Sequence, residues 1–197
     1  MNVITAAILG FCVSFGGAVS VHAETDAPKR DSAASDTSLV SVTDSTQVDA
    51  SMLLAGNWHA AETTDEEKLR LTAIDEVTKH LSRFKRGKAR DRLADLTSPP
   101  CSLTIEVTDS TVAITSGDRR FEIELGGSPV EVTGTDGTTQ MSAAMEGERL
   151  VVQSRDDKGG HTVTFQADGD DLSREVTMTS DKLDGPLTYV TTYARME

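Results

Sequence analysis

The side chains most able to act together chemically lie near the C-terminal end, in Tyr189-Val190-Thr191-Thr192-Tyr193-Ala194-Arg195. Side chains alternate along a strand, so Tyr189, Tyr193 and Arg195 share one face. If that face points inward, two phenols and a guanidinium could hold a ligand carboxylate through charge-assisted hydrogen bonds. A buried Arg has to be paired with something, so a Glu or Asp from a facing strand is the competing partner. A second candidate group is Trp58, the single tryptophan, in the step Gly56-Asn57-Trp58.

Catalytic sets are absent from the sequence. There is no Gly-x-Ser-x-Gly, no His-Glu-x-x-His and no phosphate loop. Past residue 23 the histidines are His59, His80 and His161, and none has a metal-ligand partner two or four residues on. Asp168-Gly169-Asp170-Asp171 has the form of a turn and is too short a ladder of oxygens for a calcium loop. No catalytic residue, metal or cofactor is therefore expected, and the chain is not expected to be an enzyme.

These groups need a scaffold, and the hydrophobic periods supply one. Leu53–Ala60 reads as a first strand, with Leu54, Gly56, Trp58 and Ala60 on one face. Thr64-Asp65-Glu66-Glu67 has the form of a capping box. Leu69, Ala73, Val77, Leu81 and Phe84 then recur at helical spacing, with Ile74 widening the stripe. Gly87 is expected to end that helix, and Ala89, Leu93 and Leu96 to mark a second, shorter one before Pro99-Pro100. From Ser102 the period becomes two. Leu103, Ile105 and Val107 open about nine strand-like runs separated by turns such as Gly126-Gly127, Asp136-Gly137 and Asp168-Gly169. Ten sequential strands, apolar on one face, should close into a barrel, because closure removes exposed edges. The alternative architecture is a two-layer sandwich with the helices across one end.

Outside that scaffold, Val3–Val21 carries no charge, and Val21-His22-Ala23 resembles a cleavage site. Residues 1–23 are expected to be a signal peptide, which places the protein in the periplasm or outside the cell. A retained anchor is the alternative, although Gly10, Gly16 and Gly17 make this a poor span. Residues 24–50, rich in Ser, Thr, Asp and Ala, are expected to form a disordered linker. Residues 51–197 are expected to form the barrel domain, with the helical insert at 64–96. Beyond the signal only Cys101 remains, so the domain must stand on its apolar core without a disulfide.

The net charge is −13, and residues 97–197 hold 18 acidic against 8 basic groups. Such a surface repels phosphate backbones, so nucleic acid is excluded as a partner. Lys79–Arg92 is the exception, with seven Lys and Arg against Asp91. It could make a weak anionic-membrane contact, or complement the acidic barrel rim, which is the favoured role.

The Gly-x-Trp step on the first strand, the helical pair inserted before a meander, and the last-strand Arg resemble the calycins, meaning lipocalins and fatty-acid-binding proteins. That resemblance implies a mainly β fold, an antiparallel up-and-down calycin-like barrel of about ten strands with a helical hairpin after the first. It further implies a monomer that binds a small hydrophobic or amphipathic ligand. In lipocalins an Arg on the last strand packs over the first-strand Trp, a role Arg195 would take over Trp58 by cation–π contact, so that Gly56, Trp58 and Arg195 are expected chiefly as a structural closure of the barrel. In fatty-acid-binding proteins an Arg and a Tyr two residues apart on the last strand hold the ligand carboxylate. Tyr193 and Arg195 have that spacing in the opposite order. The second functional expectation is a protein-interaction or inhibitor module with a filled barrel and no small-molecule ligand.

Overall fold

The computed structural model describes residues 50–61, 63–134 and 137–196. The expected signal at 1–23, and the expected linker as far as residue 49, lie outside these residues.

Ten strands follow one another: β1 (Gly56–Ala60), β2 (Ser102–Val107), β3 (Thr111–Ser116), β4 (Arg119–Glu124), β5 (Val130–Gly134), β6 (Gly137–Glu146), β7 (Arg149–Arg155), β8 (Gly159–Asp168), β9 (Asp171–Ser180) and β10 (Leu187–Arg195). They form one sheet in the order β4-β3-β2-β1-β10-β9-β8-β7-β6-β5. β1 pairs antiparallel with both β10 and β2, which joins the two ends of the chain's meander. The seam lies between β4 and β5. It is crossed by one bridge, Leu125 to Ala143, where the Gly126 N–H donates to the Ala143 carbonyl at 2.8 Å. The result is a nearly closed up-and-down barrel, and the sandwich alternative is excluded by the single continuous sheet.

Alternation sorts the side chains. Leu103, Ile105, Val112, Ile123, Leu150, Val163, Phe165, Val176 and Leu187 are buried in one core cluster. Every Asp and Glu of the described strands is exposed. A carboxylate on the inner face would lose its hydration without a partner, whereas one on the outer face costs nothing.

Three local features differ from expectation. The first strand begins at Gly56, because residues 50–54 form a helical turn instead of extending Leu53–Ala60. That turn directs the carbonyls of Leu53, Leu54 and Ala55 at side chains of Arg195 and Trp58, which a strand would have aimed sideways. The helix α1 (Thr64–Thr78) is capped by Thr63, one residue before the expected Thr64. Glu66 N–H donates to Thr63 Oγ1 at 3.2 Å, and Thr63 N–H to Glu66 Oε2 at 3.3 Å. Both frames satisfy the capping spacing. This one leaves Glu66 Oε1 to accept from Thr192 Oγ1 at 2.6 Å, tying the helix to β10.

The second helix, α2 (Arg83–Thr97), runs through Gly87, and the break falls at residues 79–82. The buried face of α1 is Arg70, Ile74, Val77 and Thr78, whereas Leu69 is 69% and Phe84 75% exposed. Arg70 takes a buried position because its Nη1 donates to the Ala94 carbonyl at 3.1 Å and to Thr97 Oγ1 at 3.0 Å. The last turn of α2 has carbonyls that no helical N–H can reach, and the guanidinium supplies that donor. Position 70 therefore outbids Leu69 for the interface.

β1 stops at Ala60, opposite Tyr193, so β10 extends past it. α1 lies along that extension, with Glu66 at Thr192 and the Asp184 N–H donating to the Val77 carbonyl at 3.2 Å. The hairpin thus caps one end of the barrel, and the 50–54 turn closes the other.

Candidate functional site

The closed end is built from Gly56, Trp58 and Arg195. Trp58 is fully buried, and its Nε1 donates to the Leu54 carbonyl at 3.1 Å. The Arg195 guanidinium lies over the indole, 4.2 Å from the ring centroid. Its Nη1 donates to the Ala55 carbonyl at 2.9 Å and its Nη2 to the Leu53 carbonyl at 2.6 Å. Its Nε stands 3.8 Å from Asp170 Oδ1. Gly56 has φ of +145°, and a Cβ there would sit 2.6 Å from Arg195 Nη1. Only glycine combines that backbone angle with that approach.

Tyr189 and Tyr193 point into the interior and are buried. Arg195 shares their strand, but its guanidinium turns to the barrel end and is committed there. The structure therefore brings the two tyrosines together inside and places the arginine with Trp58.

Of two further residues on the inner face, Arg174 was passed over in the sequence and His161 was weighed only as a metal ligand. Arg174 on β9 pairs across to Thr191 on β10 and to Phe165 on β8, both buried. Its Nη1 is buried without a hydrogen-bond partner. His161 on β8 pairs with Ser154 and Met178. Burial, reinforced by the Arg174 charge, pushes the imidazole down to about 4. A signal for both existed in the period-two pattern. Leu172-Ser173-Arg174-Glu175-Val176 puts Arg174 on the apolar face, and His161 alternates with Val163 and Phe165 in the same way.

No protein-family model matches the chain, and no curated protein matches it. Solved structures do. A fatty acid binding protein of Schistosoma mansoni, solved with arachidonic acid, is 17% identical with a TM-score of 0.44, over 75% of this chain and 99% of that one. Lipid binding protein 8 of Caenorhabditis elegans is 14% identical with a TM-score of 0.45, over 74% and 96%. A secretory abundant heat soluble protein of Ramazzottius varieornatus is 9% identical with a TM-score of 0.47, over 73% and 96%. The strand order, and the helical pair after the first strand, are those of the up-and-down barrel with an inserted hairpin that the sequence led one to expect.

The remaining chemistry-bearing groups lie outside the barrel interior. Cys101 is exposed beside the start of β2. Among the described residues, no group of three or more His, Cys, Asp and Glu is placed to hold a metal ion. The basic stretch pairs mainly within the hairpin: Arg90 Nε to Asp75 Oδ1 at 3.0 Å, Lys79 to Glu76 at 2.7 Å, and Arg86 to the Lys79 carbonyl. His80, 4.0 Å from Asp184, is its contact with the acidic rim. Phe84 stands out from α2 with Lys88 Nζ 4.8 Å from its ring centroid. At the seam, a cleft of about 250 Å³ lies between Gly126–Pro129 and the outer face of β6 and β7, at Ser142, Ala144, Val151 and Gln153.

Proposed function

We propose that this protein is an exported, non-catalytic carrier that holds one small hydrophobic or amphipathic molecule inside the barrel, beneath the α1–α2 hairpin. The observation that carries this reading is the interior wall itself. Branched aliphatic and methionine side chains surround a polar strip of Tyr189, Thr191 and Tyr193, all buried. An apolar lining with a few convergent polar groups is the usual make-up of a small-molecule site. The seam between β4 and β5, held by a single bridge, and the hairpin are the two places where such a barrel can open. Export is part of the reading and rests on the charge-free run Val3–Val21.

Native mass spectrometry of the exported protein tests it. The expected mass begins at Glu24 and includes one small organic molecule per chain. After extraction of that molecule, an environment-sensitive apolar dye should bind saturably at one site. An apo mass together with no saturable dye binding sinks the carrier in favour of the filled interaction module.

A weak contact with an anionic membrane through Lys79–Arg92 belongs to the same reading. It is supported by the exposed Phe84 and Leu69, which stand with a basic helix on the outer side of the hairpin. Apolar anchors plus Lys and Arg are what an anionic lipid surface attracts. Co-sedimentation with phosphatidylglycerol vesicles at low salt should fall at least about 30-fold in Lys85→Glu/Lys88→Glu, taking about 1 kcal/mol per basic residue as a lower limit. Equal sedimentation with neutral phosphatidylcholine vesicles would refute the electrostatic contact.

A further inference from the structure

We propose that Met141, Ser154, His161 and Met178 form a binding site for one soft monovalent metal ion, Cu(I) or its analogue Ag(I), on the inner wall of the barrel. The site stands independently of the carrier reading.

The four residues come from successive strands and lie on one cross-strand row. Met141 on β6 pairs with Ser154 on β7, Ser154 with His161 on β8, and His161 with Met178 on β9. All belong to the inner face. Met141 and Ser154 are buried, Met178 packs against the core, and His161 alternates with the buried Val163 and Phe165. Residues directly opposite each other have Cβ atoms about 4.5–5.5 Å apart, so the His161 imidazole and the Met178 thioether are neighbours. Met141 lies about 10 Å from His161, on the far side of β7. Between them stands Ser154, whose small side chain leaves the inner side of the row to the two longer ones. Inward side chains of a barrel also converge towards its axis. Spacing along the chain cannot show such a row, because each member comes from a different strand.

Methionines often serve only to fill gaps in a core. Among the described residues the inward methionines are Met141, Met145 and Met178, and the row of the single inward histidine takes in two of them. The ligand set is neutral, and two of its atoms are soft. Thioether sulfur with imidazole nitrogen suits Cu(I), whereas Mg2+, Ca2+ and Mn2+ favour carboxylates, carbonyls and water. No anion is at hand for a divalent ion, since every Asp and Glu of the described strands is exposed. Arg174 on the same face of β9 adds a repulsion that a single charge feels half as strongly as a double one. Leu187, the first residue of β10, continues the row beyond Met178 and so places it at the hairpin end of the barrel. His161 and Met178 are only partly buried there, which gives an ion its entry path.

The test uses the full exported chain carrying Cys101→Ser, because an exposed thiol binds the same metals. Cu(I) is titrated anaerobically against a chromophoric Cu(I) chelator, and Ag(I) by calorimetry. One equivalent of either is expected to bind, without competition from Zn2+. X-ray absorption of the Cu(I) complex should show sulfur and nitrogen scatterers together. Met178→Leu and His161→Gln should each weaken Cu(I) by at least about tenfold, while Met145→Leu leaves it unchanged. Leu replaces Met at nearly constant volume, so the methionine variants keep the fold. Should His161→Gln fail to fold, Met178→Leu, Met141→Leu and the absorption spectrum decide the matter. Absence of stoichiometric Cu(I) binding overturns the proposal. So does binding that survives Met178→Leu and Met141→Leu, or a spectrum without nitrogen, either of which points to the exposed Met52 and Met196. Zn2+ binding as tight as that of Cu(I) overturns the assignment to a soft monovalent ion.

Discussion

Trp58→Ala is expected to lower the unfolding free energy by about 3–5 kcal/mol, the range for removing a fully buried large aromatic. The total for a domain of this kind is about 5–15 kcal/mol, so the variant sits at the edge of folding. Three observations meet at that ring: zero exposure, an indole N–H donated to Leu54, and the Arg195 guanidinium stacked above it. Arg195→Ala should cost about 2–4 kcal/mol, because it removes two charge-assisted bonds to carbonyls along with the stack. Arg195→Lys should recover only part of this, since an ammonium cannot lie flat on the ring while donating to both carbonyls. Urea unfolding of Trp58→Ala, Arg195→Ala and the double variant measures the coupling. The double variant is expected to lose about 1 kcal/mol less than the sum of the singles. Strict additivity would mean that the stack contributes nothing to barrel closure. In that case the helical turn at 50–54 would be held by its own apolar contacts, chiefly Leu54.

The second large effect is on pH dependence. His161 has its folded pKa pushed from 6.5 to about 4, first by burial and then by the Arg174 charge. The neutral imidazole is therefore the form the fold accepts. Between those two values the unfolded chain binds more protons than the folded one, so stability falls as the pH falls. The contribution is complete above about pH 6.5, and the loss is complete below about pH 4. A displacement of that size corresponds to about 3 kcal/mol. The charge that acts on His161 is Arg174 on β9. His161→Gln should therefore lose about 3 kcal/mol less than the parent between about pH 7 and about pH 4 in urea unfolding. Carboxylate effects are common to both proteins and cancel in the difference. Parallel profiles would show that His161 is hydrated or already protonated in the folded state. Arg174→Met gives an independent check, because removing the positive neighbour should move the imidazole titration upward by NMR.

The architecture was largely legible before any coordinates. Period-two runs from Ser102 onward, interrupted by Gly-Gly and Asp-Gly steps, correspond to the observed meander. The helical period after Thr64 corresponds to the hairpin. Both signals are local and repeat many times, so single misfits do not matter. The misfits were at boundaries and faces. The cap moved from Thr64 to Thr63, the helix break moved from Gly87 to residues 79–82, and the buried stripe of α1 moved from Leu69 to Arg70. The cap and the stripe were decided by partners distant in sequence: Thr192 for the cap, and Ala94 and Thr97 for the stripe. A glycine inside a helix costs only about 1 kcal/mol, which packing of the hairpin can override.

The interior shows the same division. That Tyr189 and Tyr193 share a face, and that Arg174 and His161 fall on apolar faces, follows from counting by two. Counting by two cannot say which face is inside, nor whether a long side chain stays in the wall or swings to an end. Arg195 has the alternation of an interior residue, yet the carbonyls of the 50–54 turn and the indole of Trp58 draw it to the barrel end. Arg174, with the same charge, stays on the inner face of β9 and keeps its Nη1 buried without a hydrogen-bond partner. The sequence by itself determined the ten strands, the inserted hairpin and the outward placement of the acids, because these follow from periodicity and hydration acting residue by residue. The tertiary structure alone decided which arginine closes the barrel and which faces its interior. Both choices depend on acceptors brought together by folding from positions more than a hundred residues apart, such as Ala55 and Arg195.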